Sequence, residues 1–163
     1  MDDTLTLPMR AGPGPQTLGR LPHSQLTQHG PDPIIDALHA WCFSMPHVRQ
    51  ENSGISVPGS RALILEDGVV GNPQAFMIGR EFAHIHPKPD NGSMHLVLSV
   101  EDVAAVKAGG WGEDHYLVTQ GQWPPGLVMV FSPRDEEELA VVQNIVARSY
   151  AFATGFAPET AAV

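Results

Sequence analysis

The sequence predicts an α+β domain, an antiparallel sheet with helices packed mainly on one face. Two observations carry this. Short runs of strand character at 61–66, 80–86, 93–100, 116–119 and 127–131 are joined mostly by links of turn length, which suits antiparallel pairing. Two longer stretches, 34–45 and 139–153, repeat apolar residues at helical spacing. Helices and strands in that order give a sheet covered on one side. With 163 residues the chain suits one compact domain and hardly two.

Residues 1–30 are rich in Pro, Gly, Gln and Thr and show no sustained period, so they read as a flexible arm. His23 and His29 lie in it as solvated loop histidines. The ordered domain is expected over 31–157, with a small-residue tail at 158–163. Asp32 is set to cap the first helix, with Pro33 at the first helical position. Ile34, Ile35, Leu38, Trp41, Cys42 and Met45 form its apolar stripe, His39 sits at its edge, and Pro46 stops it. Cys42 in that stripe reads as a buried structural thiol.

Residues 47–60 are polar and Gly-rich, a loop with at most one irregular strand. Residues 61–66 form a strand, Asp67-Gly68 and Gly71-Asn72-Pro73 turn the chain, and 74–79 form a short strand. The next segment, 80–100, holds His84, His86 and His95. These alternate with Ala83, Ile85, Leu96 and Leu98, the period of a two-faced strand. Pro87-Lys88-Pro89-Asp90-Asn91-Gly92 makes the turn of a hairpin. Pairing His86 with His95 sets His84 opposite Val97 and points all three imidazoles to one face. A slip of one residue would drive His95 into the apolar face.

Residues 101–108 form a helix with Val103, Val106 and Ala104 or Ala105 inward, capped by Ser99 or Ser93 and ended at Gly109-Gly110. Trp111 between glycines either plugs the core or walls a ligand site. Glu113 and His115 are polar candidates beside it. After strands at 116–119 and 127–131, Ser132 is placed to cap the last helix, with Pro133 next and Asp135 in a capping-box pattern. Glu136, Glu137 and Glu138 favour the positive end of its dipole, and Gly155 stops it.

Nine basic against 18 acidic residues give a formal charge of −9, which excludes phosphate-backbone binding by clustered cations. No apolar run approaches a membrane span. Met1-Asp2-Asp3 lacks the order of a signal peptide, and a single cysteine fits a reducing cytoplasm. Glycine-rich phosphate loops, a nucleophile elbow, paired cysteines and internal repeats are all missing from the sequence. The histidine trio is therefore the chemical centre. Its spacing suits a facial site for a divalent transition metal, equally a metal-free acid, base and donor set, or else a set of satisfied, partly buried histidines.

The run Arg80-Glu81-Phe82-Ala83-His84-Ile85-His86, then Met94-His95-Leu96, then Gly110-Trp111-Gly112 with His115, then Ser132-Pro133-Arg134-Asp135-Glu136-Glu137, resembles the C-terminal portion of the fungal luciferases and their bacterial relatives. The resemblance covers about residues 60 to 155. It implies oxygen-dependent oxidation of a small enolic or hydroxypyrone-type molecule by an oxidoreductase, with molecular oxygen as co-substrate. Light emission is not implied, because it belongs to the luciferin as much as to the site. Carried over position by position, His84, His86, His95 and His115 are the catalytic candidates, and Trp111, Phe82 and Arg134 the substrate-binding ones. In a regular strand Glu81 lies opposite His84, as a structural partner for Arg80 or Arg134. The chain lacks the apolar N-terminal segment of the fungal proteins, and its 87–92 turn differs. Two other functions stay open: a metal-dependent hydrolase or lyase on the same platform, and a non-catalytic small-molecule binding module.

Overall fold

A computed structural model describes residues 3–156. The expected tail at 158–163, and the last residue of the expected domain, lie outside the described residues. The chain runs α1 (Asp32–Cys42), β1 (Val48–Asn52), β2 (Arg61–Leu65), a 3-10 turn (Pro73–Ala75), β3 (Glu81–Ile85), β4 (Met94–Val97), α2 (Val100–Ala108), β5 (Gly112–Asp114), α3 (Tyr116–Thr119), β6 (Leu127–Val130) and α4 (Glu136–Thr154). The six strands form one antiparallel sheet in the order β1-β2-β3-β4-β6-β5. The α+β architecture is the expected one.

One face of the sheet is the core. Leu63, Leu65, Ala83, Ile85, Met94, Leu96, Val128 and Val130 alternate towards it and are fully buried. α1 lays Leu38 and Cys42 on them, and α4 lays Val142, Ile145, Val146 and Tyr150. Each of the Leu, Ile, Val and Met side chains among them stabilises the fold by about 1.5–3 kcal/mol relative to exposure. Tyr150 satisfies its hydroxyl on the Pro46 carbonyl at 2.9 Å. The edge strand β1 is polar and exposed over Arg49–Asn52, which discourages edge-to-edge pairing.

Four local expectations are corrected, each because a side chain is used differently. Asp32 does not cap α1; Pro31 holds that position, and the Asp32 carboxylate takes bonds from Lys88 and Asn91. Residues 74–79 are no strand, since Asn72 Oδ1 accepts from Gln74 N and starts a 3-10 turn. Residues 116–119 form a helical turn because the His115 side chain accepts the Leu117 N–H. Ser132 donates its hydroxyl to Asn91 O and accepts from Gly30 N, so Asp135 caps α4 through Glu138 N at 2.8 Å. Among the described residues, no helix is long and apolar enough to cross a membrane.

The second sheet face carries the histidines, and the N-terminal segment helps to cover it. Residues 3–30 have almost no regular structure, as their composition predicts. They are nevertheless docked rather than detached: Leu5, Arg10, His23 and Gln25 are buried. Arg10 N bonds Gly109 O, and Trp111 Nε1 donates to Pro8 O. Further on, an antiparallel bridge between Thr17 and Gln25 closes a loop that lies over the histidines. The Gln25 amide donates to Asp90, and its side-chain oxygen accepts from Ser132 N.

Candidate functional site

The hairpin of β3 and β4 pairs His84 with His95, Ile85 with Met94 and Ala83 with Leu96. The expected pairing of His86 with His95 is therefore off by two residues. His86 N instead bonds Ser93 O at 2.9 Å. A two-residue shift preserves the face of every side chain, so the three imidazoles still cluster. The turn is tight at Gly92, whose φ is +95° and where a Cβ would sit 2.4 Å from Ile35.

Opposite β2, β3 is irregular. Leu63 pairs with Ala83 but Ile64 pairs with Glu81, which makes Phe82 an extra residue. Such a bulge re-aims neighbouring side chains. Phe82 turns to the core against Tyr150, and Glu81 comes round to the histidine side. The expectation that Glu81 lies opposite His84, serving Arg80 or Arg134, is corrected. Its carboxylate accepts from His84 Nδ1 at 2.8 Å, Ser53 Oγ at 2.7 Å and Gly54 N at 3.0 Å. Burial opposes its ionisation, but these bonds together hold the carboxyl below the usual range.

The hydrogen bonds dictate tautomers. A neutral imidazole has one N–H and one lone pair. His84 gives its Nδ1–H to Glu81, so its Nε2 accepts. That nitrogen faces His95 Nδ1 at 3.1 Å, so His95 Nδ1 carries the hydrogen. His95 Nε2 is left as a lone pair, buried and without a hydrogen-bond partner. Burial pushes the pKa of His95 far below the usual histidine value, and the neighbouring imidazoles push the same way. Burial also lowers His84, against the pull of Glu81. His86 donates Nδ1–H to Ser93 Oγ at 2.8 Å, because the Ser93 hydroxyl itself donates to Asp90 Oδ2 at 2.7 Å.

His115 starts α3. Its Nδ1 accepts from Leu117 N at 3.0 Å, so its hydrogen is on Nε2. Burial, with His23, His84 and His86 nearby, pushes its pKa down to about 4. It is a neutral hydrogen-bond donor, with its ring centroid 4.4 Å from that of His95.

With His29, Asp90 and Trp123, His23 is one of the site residues that sequence reasoning missed. It is buried, not a solvated loop residue. Its ring stacks on His95 at 5.6 Å and meets His115 edge-on at 5.2 Å. Its Nδ1 accepts from Tyr116 N at 3.2 Å, and its Nε2 donates to Glu113 Oε2 at 2.7 Å. No pattern in the surrounding sequence marks it. His29 lines the same cavity and donates Nε2–H to Gln25 O at 2.8 Å.

These rings line a cavity of about 880 Å³. Apolar side chains form its walls, among them Leu26, Ile55, Val57, Leu117, Trp123 and Leu127. An apolar pocket of this size with a few convergent polar groups is the form of a small-molecule site. Phe82, Trp111 and Arg134 do not line it. Phe82 and Trp111 are core residues, and Trp111 can be buried because the Pro8 carbonyl takes its N–H. Arg134 is engaged with both Glu138 oxygens, Gln28 Oε1 and Ala11 O, a clamp between α4 and the N-terminal segment. The aromatic wall of the cavity is Trp123 instead.

His84, His86 and His95 each offer one nitrogen within 4.8 Å of the others, as do His23, His95 and His115. The first trio fits a divalent transition metal: imidazole donors, two of them backed by Glu81 and by the Ser93–Asp90 pair. The second does not fit. Both nitrogens of His23 are engaged, and the Leu117 bond takes the lone pair of His115.

An α+β domain with a buried histidine cluster in an apolar cavity has the form of a small-molecule site, and known proteins resemble parts of it. Residues 79–149 match the Luciferase domain family. A luciferase of Armillaria gallica is 28% identical over 165 residues, covering 91% of this chain and 61% of that protein. A luciferase of Armillaria ostoyae is 40% identical over 77 residues, 46% of this chain and 29% of that protein. One of Neonothopanus nambi is 38% identical over 77 residues, 46% of this chain and 28% of that protein. No solved structure matches. The chain is similar to the fungal luciferases over these segments. It spans about three fifths of the length of the Armillaria gallica relative. The segment that matches the Luciferase domain contains His84, His86, His95 and His115, while His23 comes from outside it.

Proposed function

We propose that this protein is an oxidoreductase that uses molecular oxygen to oxidise a small enolic or phenol-like molecule of hydroxypyrone type in the histidine cavity. The likeness to luciferases supports the oxygenase class, and light emission is not part of the reading. One observation carries the assignment of the base: the buried, unpartnered lone pair of His95 Nε2.

His95 Nε2 takes the proton of the substrate hydroxyl. The electron-rich enolate carbon then forms a bond to dioxygen, which is reduced to a peroxide as the carbon is oxidised. The peroxide anion recovers the proton from His95, so substrate plus oxygen gives a hydroperoxide. His84 and Glu81 hold His95 in the required tautomer throughout. His115 Nε2–H donates to a substrate oxygen as negative charge develops on it, a role supported by its tautomer. Oxygen uptake with a panel of hydroxypyrones and catechols tests the reading. Uptake by the wild type that is lost in His95→Ala is expected; no uptake with any of the panel would overturn it.

A metal-assisted form of the same reaction is favoured by the carboxyl-backed trio. A divalent transition metal held by His84, His86 and His95 would supply a Lewis-acid centre there. In that form the His84–His95 hydrogen bond would give way to coordination, and His95, its lone pair on the metal, would no longer serve as the base. Metal content of the purified protein and activity after exhaustive chelation separate the two forms.

A further inference from the structure

The cavity holds a second buried acceptor that the proposed chemistry does not use. Asp90 sits in the turn between β3 and β4, and its side chain is only 9% exposed. Its two oxygens have different lives. Oδ2 accepts from Gln25 N at 2.9 Å and Ser93 Oγ at 2.7 Å, and lies 3.2 Å from His86 Nδ1. Oδ1 has no hydrogen-bond partner. The nearest cationic candidate, His29 Nε2, is 3.7 Å away and gives its hydrogen to Gln25 O. A buried carboxyl oxygen without a donor is costly, and such groups are rare in native proteins.

We propose that Asp90 is a substrate-binding residue whose Oδ1 accepts a hydrogen bond from a second hydroxyl of the ligand, the first hydroxyl going to His95. This rests on the reading of His95 as the group that meets the reacting hydroxyl. Asp90 and His95 are both among the cavity residues, and the ring of His86 lies against each of them. Two unpartnered acceptors on residues of one cavity, each beside the same imidazole, call for a ligand that donates twice from one ring system. The class is a neutral ring bearing two hydroxyls, with an apolar remainder for Leu26, Ile55, Val57 and Trp123. A ligand carboxylate at the same place would meet Asp90 as a like charge and is disfavoured. Losing the second hydroxyl leaves Oδ1 unpaired again, so discrimination between donor and non-donor should be large.

The test compares catechol and resorcinol with their monomethyl ethers, which keep the ring but lose one donor. Binding is followed on the wild-type protein by tryptophan fluorescence, with Trp123 at the cavity wall, and oxygen uptake is recorded alongside. The better dihydroxy probe is expected to bind about ten-fold or more tightly than its ether. In Asp90→Asn the amide oxygen can keep the bonds to Gln25 and Ser93 while the NH2 replaces Oδ1, a donor where the ligand needs an acceptor. The preference should then shrink to about three-fold or less, or reverse. Equal binding of probe and ether by the wild type overturns the proposal, as does a preference that survives in folded Asp90→Asn. Should that variant fail to fold, a wild-type crystal soaked with the better probe decides. A hydroxyl within hydrogen-bond distance of Oδ1 supports the assignment, and one placed elsewhere ends it. A hydroxyl preference dependent on Asp90 but without oxygen uptake supports Asp90 as the anchor while ending the oxidation reading. Oxygen uptake without that preference does the reverse.

Discussion

His84 and His95 stand opposite each other on β3 and β4, with Nε2 of the first 3.1 Å from Nδ1 of the second. Behind His84 the Glu81 carboxylate fixes the direction of the chain of hydrogen bonds. Glu81 reaches this place only because Phe82 is an extra residue in β3. The basicity available in the cavity thus depends on a strand irregularity and a carboxylate that never enters the cavity wall.

Glu81→Ala should therefore impair the site through His84. It removes the acceptor for three donors, from His84, Ser53 and Gly54. Stability is expected to fall by about 3 kcal/mol, measured by urea unfolding. Turnover should fall as well, since the His84 ring can then turn over and offer its N–H to His95. Unchanged rates in a folded variant would show that the orientation of His84 does not matter.

His95→Ala is expected to remove turnover by about a hundred-fold or more, the usual contribution of a positioned general base. The thermal melt should stay cooperative, because the sheet core lies on the other face. A metal site would add a second signature: loss of bound metal in His84→Ala and His86→Ala also.

Removing the N-terminal segment should not be harmless. The sequence alone suggests that residues 1 to about 28 can be deleted without unfolding the domain. In the structure that deletion strips Leu5 from the core, the Pro8 acceptor from Trp111 and His23 from the cavity. A lowered melting temperature and weakened ligand binding are expected by calorimetry. A truncated protein that melts and binds like the full chain would return the segment to the role of a dispensable arm.

The two tryptophans should separate cleanly. Trp111→Phe leaves the Pro8 carbonyl without its donor and should cost about 1–3 kcal/mol, with ligand affinity nearly unchanged. Trp123→Ala should weaken ligand binding and leave the melt almost where it was, since that ring is half-buried at the cavity wall. Equilibrium unfolding and a binding titration on both variants check the contrast.

Stability should decline on acidification, beginning near pH 6.5. His95 and His115 are held neutral in the folded protein, so the unfolded chain binds more protons below the ordinary histidine value of 6.5. Stability rises with pH wherever the unfolded state binds the extra protons. For His115 the loss accumulates from 6.5 down to about 4 and then stops. Glu81 and Glu113, whose folded values are lowered, extend the decline as pH falls through the carboxylate range. Urea unfolding across pH 4 to 8 measures the slope; a flat profile between pH 5 and 7 would contradict the buried neutral histidines.

Much of this protein was legible in the residues alone. Alternation along 83–86 and 94–98 determined which side chains face together, and it survived an error of two residues in the pairing because strand faces repeat every two. The helical stripes of α1 and α4, the Gly155 stop and the antiparallel sheet followed from the same local periods. Tertiary structure decided the rest. Periodicity could not show that Phe82 would be squeezed out of register, nor that Glu81 would then face His84. It could not bring His23 across about 70 residues of chain to stack on His95, nor choose Trp123 over Trp111 for the cavity. Period reports only how neighbours in sequence share a face. Which distant donors find which acceptors is settled by packing, where each buried polar group must be paired or left costly.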